Sequence, residues 1–304
     1  MNTIRWLLDS DPAVRWQAMR DLTDASPGAI AAERARVPHE GLGAQILAAQ
    51  GADGPWHKAG APDWLPTLFM MLLLRATGVD PHNPTVLSAI AHLEAGYRWD
   101  EEFRDTPNTT FFDGEVEPCI NGGVLALGAF FGRSSESLAR RLLGDQLGDG
   151  GWNCDAPKSV CSSFHSTICV LEGLLEYERA VGSTPEIASA RGRGEEYLLA
   201  RDLFRRRSTG EVANPDFLRF AFPPRYHYDV LRALDYFRAA GAQRDARMRD
   251  AIRIVESRRQ GDGRWLLDHA YDESLSFPFV ERVGEPSAWN TLRAMRVLRW
   301  YEGA

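Results

Sequence analysis

The chain has 304 residues, 44% of them apolar and 25% charged, with a formal net charge of −7 and a pI near 5.6. This is the composition of a globular protein with a large core, and the acidic balance argues against a nucleic-acid partner. Four Cys, and an N-terminus without the apolar run of a signal peptide, predict reduced thiols in the cytoplasm; the longest apolar run, Leu68 to Leu74, is far too short to span a membrane.

In chain order, a short helix is expected at 3–9, then an apolar helix at 12–24 and a further helical segment within 28–50. Gln50 opens the first copy of a pattern, Q-x-x-D-G-x-W, which ends at Trp56. An apolar helix at 64–77 and a more polar one near 83–96 follow. Next come an irregular stretch at 98–116, an apolar helix at 118–131 and an amphipathic one near 134–147. The second copy runs from Gln146 to Trp152 and leads into an apolar helix at 163–180, then a polar one near 187–203. After an irregular stretch at 205–224 the pattern predicts helices at 225–240 and 244–259. A third copy, Arg259 to Trp265, keeps D-G-x-W but has Arg in first position. An irregular stretch at 266–286 precedes the last helix, 287–302.

No segment alternates β-branched residues with period two, so the fold class is all-α. Each repeat lies between helices, which makes the repeating unit a helical hairpin: Asp-Gly forms the turn and the Trp packs on a neighbouring helix. Alternation of apolar and amphipathic helices predicts two layers, six inner and about six outer, closing into an α/α toroid. The short opening helix serves as the sixth outer member. No linker divides the chain, so residues 1–304 are read as a single domain. The irregular stretches carry Phe111, Phe112, Phe217, Phe220, Phe222, Phe277 and Phe279, which suit the walls of an apolar cavity.

The repeats and the helix alternation resemble the terpenoid cyclase and protein prenyltransferase superfamily, and Q-x-x-D-G-x-W looks like the QW motif of squalene and oxidosqualene cyclases. The resemblance implies a squalene cyclase-like α/α barrel with a central cavity for an isoprenoid. It also implies that the Gln, Asp and Trp brace helices. The D-x-D-D acid motif of class II cyclases is absent; the nearest acidic run is Asp113-Gly114-Glu115-Val116-Glu117. Burial could keep a carboxylic acid of that run protonated, although solvation in a loop is the expected state.

Laying the apolar helices over one another places Cys119, His165 and His227 at one level, with Asn121, Thr167 and Asp229 two residues on. A thiolate and two imidazoles converging from three helices suit tetrahedral zinc with an open fourth position, Asp229 serving as fourth ligand or imidazole orienter. A competing local cluster is Cys154, Cys161 and His165, with Cys169 one turn further on. The segment Asp155–Cys169 also resembles the stretch holding the zinc-binding His of protein prenyltransferase β subunits, with His165 in the matching place. Those subunits carry an Asp-x-Cys ligand pair in the preceding repeat; here it reads Glu117-Pro118-Cys119. The resemblance implies that zinc would present an acceptor thiolate to a prenyl diphosphate, and it brings in a helical partner subunit as a further expectation. Arg225, Tyr226, Tyr228, Arg232 and Arg293 are the candidates for holding a diphosphate.

The reading is thus an enzyme acting on an isoprenoid or similar apolar molecule, with zinc-dependent prenyl transfer as one form. Two alternatives stay open. One is a metal-free cyclase or isomerase in which His227 and Asp229 form an acid pair; the other is a non-catalytic lipid-binding protein or subunit.

Overall fold

The D-G-x-W turns set the architecture, and the three copies are built alike. The computed structural model describes residues 3–99 and 109–303. In each turn the glycine after Asp has a positive φ (Gly54 113°, Gly150 97°, Gly263 85°), a conformation that favours glycine. Its N–H donates three residues back, to Gly51 O, Leu147 O and Gln260 O respectively. A Cβ at Gly54 would meet His92 O at 2.3 Å and one at Gly150 would meet Arg193 O at 2.7 Å, so the turns also seat directly on a neighbouring helix.

The tryptophans are held the same way. Trp56, Trp152 and Trp265 are buried, and each backbone N–H donates to a threonine Oγ1 on the apolar helix that follows: Thr67 (3.0 Å), Thr167 (3.1 Å) and Thr291 (3.0 Å). The Trp152 and Trp265 indoles donate to the carbonyls of Leu142 and Val255, both at 2.7 Å. A buried indole carries one donor, and here it closes the end of the preceding amphipathic helix. Gln50 and Gln146 each donate from Nε2 to the turn (Gly54 O, Gly150 O) and to a helix carbonyl (Ala89 O, Ala190 O). The bracing role expected of Gln and Trp is what these bonds perform. In the third copy the guanidinium of Arg259 lies over the Trp265 ring instead, at 5.6 Å.

Thirteen α-helices are present among the described residues, and two compact units contain them. The terminal unit comprises Met1–Ala48, Ala76–Asp80 and Leu199–Ala304; the middle unit comprises Ala49–Arg75 and Pro81–Leu198.

The terminal unit holds α1 (Thr3–Leu8), α2 (Pro12–Leu22), α3 (Pro27–Arg34), α4 (Gly41–Ala48), α11 (Val230–Ala239), α12 (Arg249–Ser257) and α13 (Ala288–Glu302). Helix α13 packs on both α11 and α2, so the last apolar helix of the chain neighbours the first. Helix α1 meets the third turn: Thr3 Oγ1 donates to Asp262 O at 3.3 Å, and a Cβ at Gly263 would meet Thr3 Oγ1 at 2.6 Å. It therefore takes beside Gly263 the place that the helices carrying His92 and Arg193 take beside the other two glycines. The helix expected within 28–50 is two helices, α3 and α4, separated at Pro38 and at Gly41, whose φ is +62°. Proline lacks the N–H that a continuous helix would need there.

The middle unit holds α5 (Trp64–Ala76) up to its last residue, α6 (Pro84–Gly96), α7 (Pro118–Phe130), α8 (Glu136–Gly144), α9 (Phe164–Val181) and nearly all of α10 (Pro185–Leu199). Its centre is the close contact of α7 with α9. A Cβ at Gly122 would meet Cys169 O at 2.5 Å, and one at Gly173 would meet Gly122 O at 2.4 Å, so glycine on each helix lets the backbones approach.

The aromatic residues of the irregular stretches are mostly buried. Phe111, Phe112, Phe217, Phe220, Phe222 and Phe279 are buried, and Phe277 is half-buried. Phe111 stacks on Trp99 in the middle unit, and Phe222 stacks on Trp289 at 4.4 Å in the terminal unit. These rings form small cores beneath the connections. Residues 100–108 of the first stretch lie outside the described residues. No described helix is long and apolar enough to cross a membrane.

Candidate metal centre

The site begins where α7 and α9 begin. Pro118 opens α7, a position where its missing N–H costs nothing, and Cys119 follows in the first turn. Ser163 precedes α9, which starts at Phe164. The chain leaving the second D-G-x-W turn reaches Cys154, where Ser166 on α9 holds it: the Cys154 N–H donates to Ser166 Oγ at 3.3 Å, and Sγ lies 3.3 Å from the same oxygen. Cys119 Sγ donates to Glu117 Oε2 at 3.6 Å. One ligand atom from each of Glu117, Cys119 and Cys154 lies within 4.8 Å of the other two. Both cysteines are half-buried and Glu117 is exposed, so the group opens to one side.

The two thiols are not equivalent. The interaction with Cys154, together with burial, pushes the Cys119 thiol well up; the same interaction holds the Cys154 thiol below its ordinary value. Ser166 also acts on Cys154, and Glu117 acts on both thiols.

Behind the group lies Glu115, 1% exposed. Burial pushes its carboxyl up to about 7, although both oxygens accept backbone N–H bonds, from Val116 at 2.5 Å and Glu117 at 2.6 Å. Asn121 locks the peptide, accepting from Glu115 N at 2.7 Å and donating to Glu115 O at 2.8 Å. Glu115 is thus buried and bound, not solvated in a loop as the sequence suggested.

Of the residues brought forward from the sequence, Cys119 and Glu117 are in the group, and so is Cys154, which the sequence had placed with Cys161 and His165 instead. His165, the second residue of α9, is half-buried and is not one of its members. Cys161 is exposed and Cys169 is buried on α9, so the local cluster of Cys154, Cys161 and His165 is not assembled.

His227 and Asp229 belong to the terminal unit, and their helix starts later than expected, at Val230 rather than 225. Asp229 is the N-cap of α11 and accepts from Arg232 N at 2.7 Å and Ala221 N at 3.3 Å. A carboxylate that satisfies the free N–H groups of a helix start fixes where the helix begins. His227 therefore precedes its helix, whereas Cys119 and His165 each sit second in theirs. The His227 ring stacks between Tyr226 (4.2 Å) and Tyr271 (3.5 Å). Asp229 is fully buried; burial pushes its carboxyl up while Arg293 acts the other way.

The side chains considered for a diphosphate are engaged elsewhere in the same unit. Arg232 donates to the carbonyls of Arg225 and His227, Arg293 donates to Ala221 O and Asn290 Oδ1, and the Tyr228 hydroxyl donates to Leu203 O. Arg225 lies near Glu273, at 3.5 Å.

No family model matches the chain, and no curated protein matches it. Among solved structures, the chain is similar to a protein from Actinoplanes (16% identity, 96% of this chain and 89% of that one, TM-score 0.48). It is also similar to the type II terpene cyclase MstE from Scytonema (15% identity, 95% of this chain and 86% of that one, TM-score 0.47).

Proposed function

We propose that the protein is an enzyme acting on an isoprenoid or similar apolar small molecule, with a zinc ion held at Cys119 and Glu117. The observation that carries this reading is the gathering of Glu117, Cys119 and Cys154 within 4.8 Å at the starts of two helices. Tetrahedral zinc, with bonds of about 2.0–2.3 Å, needs its ligand atoms roughly 3.3–3.8 Å apart, so these residues close on the ion with small side-chain rotations. Sulfur and carboxylate oxygen are ligands that zinc accepts, and the open side leaves room for a substrate group.

Zinc in such a site would supply charge that keeps a thiol ionised, or that polarises an oxygen. The chain's own contribution is positional. Pro118 and Asn121 hold the first turn of α7, Ser166 orients Cys154, and Glu115 fixes the peptides of Val116 and Glu117. The apolar substrate class rests on the resemblance of the repeats; prenyl transfer to a thiol acceptor is the form of the reaction that the Glu117-x-Cys119 pair favours.

Elemental mass spectrometry of the untagged protein is the test. About one zinc per chain, lost in Cys119→Ala, supports the reading, and turnover would then be sought with prenyl diphosphates and small thiols. Absence of zinc under reducing conditions with the metal supplied would remove it. The weight would then pass to a metal-free cyclase or isomerase, or to a lipid-binding protein or subunit. Extraction of bound lipid and a native mass would separate those two.

A further inference from the structure

We infer that Cys154 is itself a metal ligand, so that the centre is built from two thiolates and one carboxylate (Cys119, Cys154 and Glu117) and takes zinc without His165. The inference rests on the proposed metal at Cys119 and adds to it a residue that neither the helix register nor the Glu-x-Cys spacing marks.

Three observations carry it. The first is the distance: Cys154 Sγ is within 4.8 Å of both Cys119 Sγ and a Glu117 carboxylate oxygen, while His165, only 11 residues along the chain from Cys154, contributes no atom to the group. The second is direction. Glu117 and Cys119 come from the start of α7, whereas Cys154 comes from a separate segment after the second turn, so the ligands approach from two sides as a tetrahedral ion requires. The third is positioning. Ser166, 3% exposed, bonds both the N–H and the sulfur of Cys154 at 3.3 Å, the kind of support from behind that orients a ligand toward a metal. An acid and two thiols gathered within 4.8 Å form a donor set suited to a soft divalent ion.

Cobalt substitution tests this directly in the full chain, because the sulfur-to-cobalt charge-transfer band of bound Co2+ grows with the number of thiolates. The wild-type spectrum should show two thiolates, which needs no substitution and so does not depend on a variant folding. Cys154→Ser should lose about half of that band and bind zinc at least roughly 100-fold more weakly, the upper end of what loss of a supporting residue alone costs. His165→Ala should keep both the band and the affinity. A one-thiolate spectrum in the wild type, or zinc lost in His165→Ala and retained in Cys154→Ser, would overturn the role of Cys154 and leave the metal at Cys119 standing. A wild-type protein that takes up neither ion would overturn the metal centre altogether.

Discussion

The helix starts of the terminal unit and the group of Glu117, Cys119 and Cys154 in the middle unit hold their polar atoms differently. In the terminal unit every strong group named there is matched by backbone or by an opposite charge. Asp229 caps α11, and Glu281 accepts from Ser287 Oγ and the N–H groups of Ala288 and Trp289. Asn290 donates to two carbonyls, and Asp235 pairs with Arg296 and Arg238. In the middle unit the thiols of Cys119 and Cys154 and the exposed carboxylate of Glu117 have mainly one another, with Ser166 behind them. A polar group with its partners complete holds the fold; a group of ligand atoms turned toward one another and toward solvent has capacity left for something else.

The widest separation between the units should come from Asp235→Ala. It removes the carboxylate that pairs with both Arg296 and Arg238 and leaves Arg296 only Asp21, at 3.7 Å, as an acidic partner, at a cost of about 3 kcal/mol in urea unfolding. A loss below about 1 kcal/mol would show that the network is solvated and that the contrast between units is overstated. Burial alone would raise the Asp235 pKa, but Arg296, Arg238 and Arg293 outweigh it and hold the carboxyl well below its usual range. A depressed acid stabilises the fold above its unfolded pKa. That contribution is lost as pH falls through the folded pKa, so the wild type should lose more stability in strong acid than the variant does.

In the middle unit the largest effect should come from Gly122→Ala, whose methyl would strike Cys169 O. Forcing α7 from α9 should cost about 1–3 kcal/mol and shift Cys119, so zinc affinity should fall with stability. Unchanged affinity in a destabilised variant would mean that the centre does not depend on the close helix contact.

The repeats permit a matched pair. Thr167→Val in the middle unit and Thr291→Val in the terminal unit each remove the acceptor from a buried Trp N–H, and each should cost about 1 kcal/mol in thermal or urea unfolding. Clearly unequal losses would break the equivalence of the turns.

The smallest effect should come from His57, in the first turn only. Its Nε2 meets Asp53 at 2.7 Å and its Nδ1 meets Asp63 at 2.8 Å, bonds that together require the imidazolium and raise its pKa. The stabilisation is complete below the ordinary imidazole pKa and disappears as pH rises through the raised one. The pair is exposed, so His57→Gln should remove only a few tenths of a kcal/mol, along with that alkaline loss. No difference between wild type and variant on either side of the transition would show that the clamp holds nothing.

Much of the fold was legible in the chain and the site only partly so, and particular residues show why. Helix periodicity, the Asp-Gly turns and the tryptophans are patterns within a few residues, and they located the helices and the hairpin repeat. The start of α11 was misplaced because the apolar pattern continues back toward Arg225, whereas the Asp229 side chain closes the helix at Val230. Cys119 was found through its place at a helix start, and Glu117 only through the resemblance of Glu117-Pro118-Cys119 to an Asp-x-Cys ligand pair. Cys154 was marked only as part of a local cluster with Cys161 and His165, and the repeat gave no support: it follows Trp152 by two residues, where the first turn has Lys58 and the third has Leu267. Its neighbour Cys119 lies 35 residues earlier in the chain, and only the packing of α7 against α9 brings the two together. Local pattern carries the all-helical class and the repeat because both arise from interactions between near neighbours. Which polar groups are consumed by the fold and which are left to meet one another depends on contacts between distant segments, and those exist only once the helices have packed.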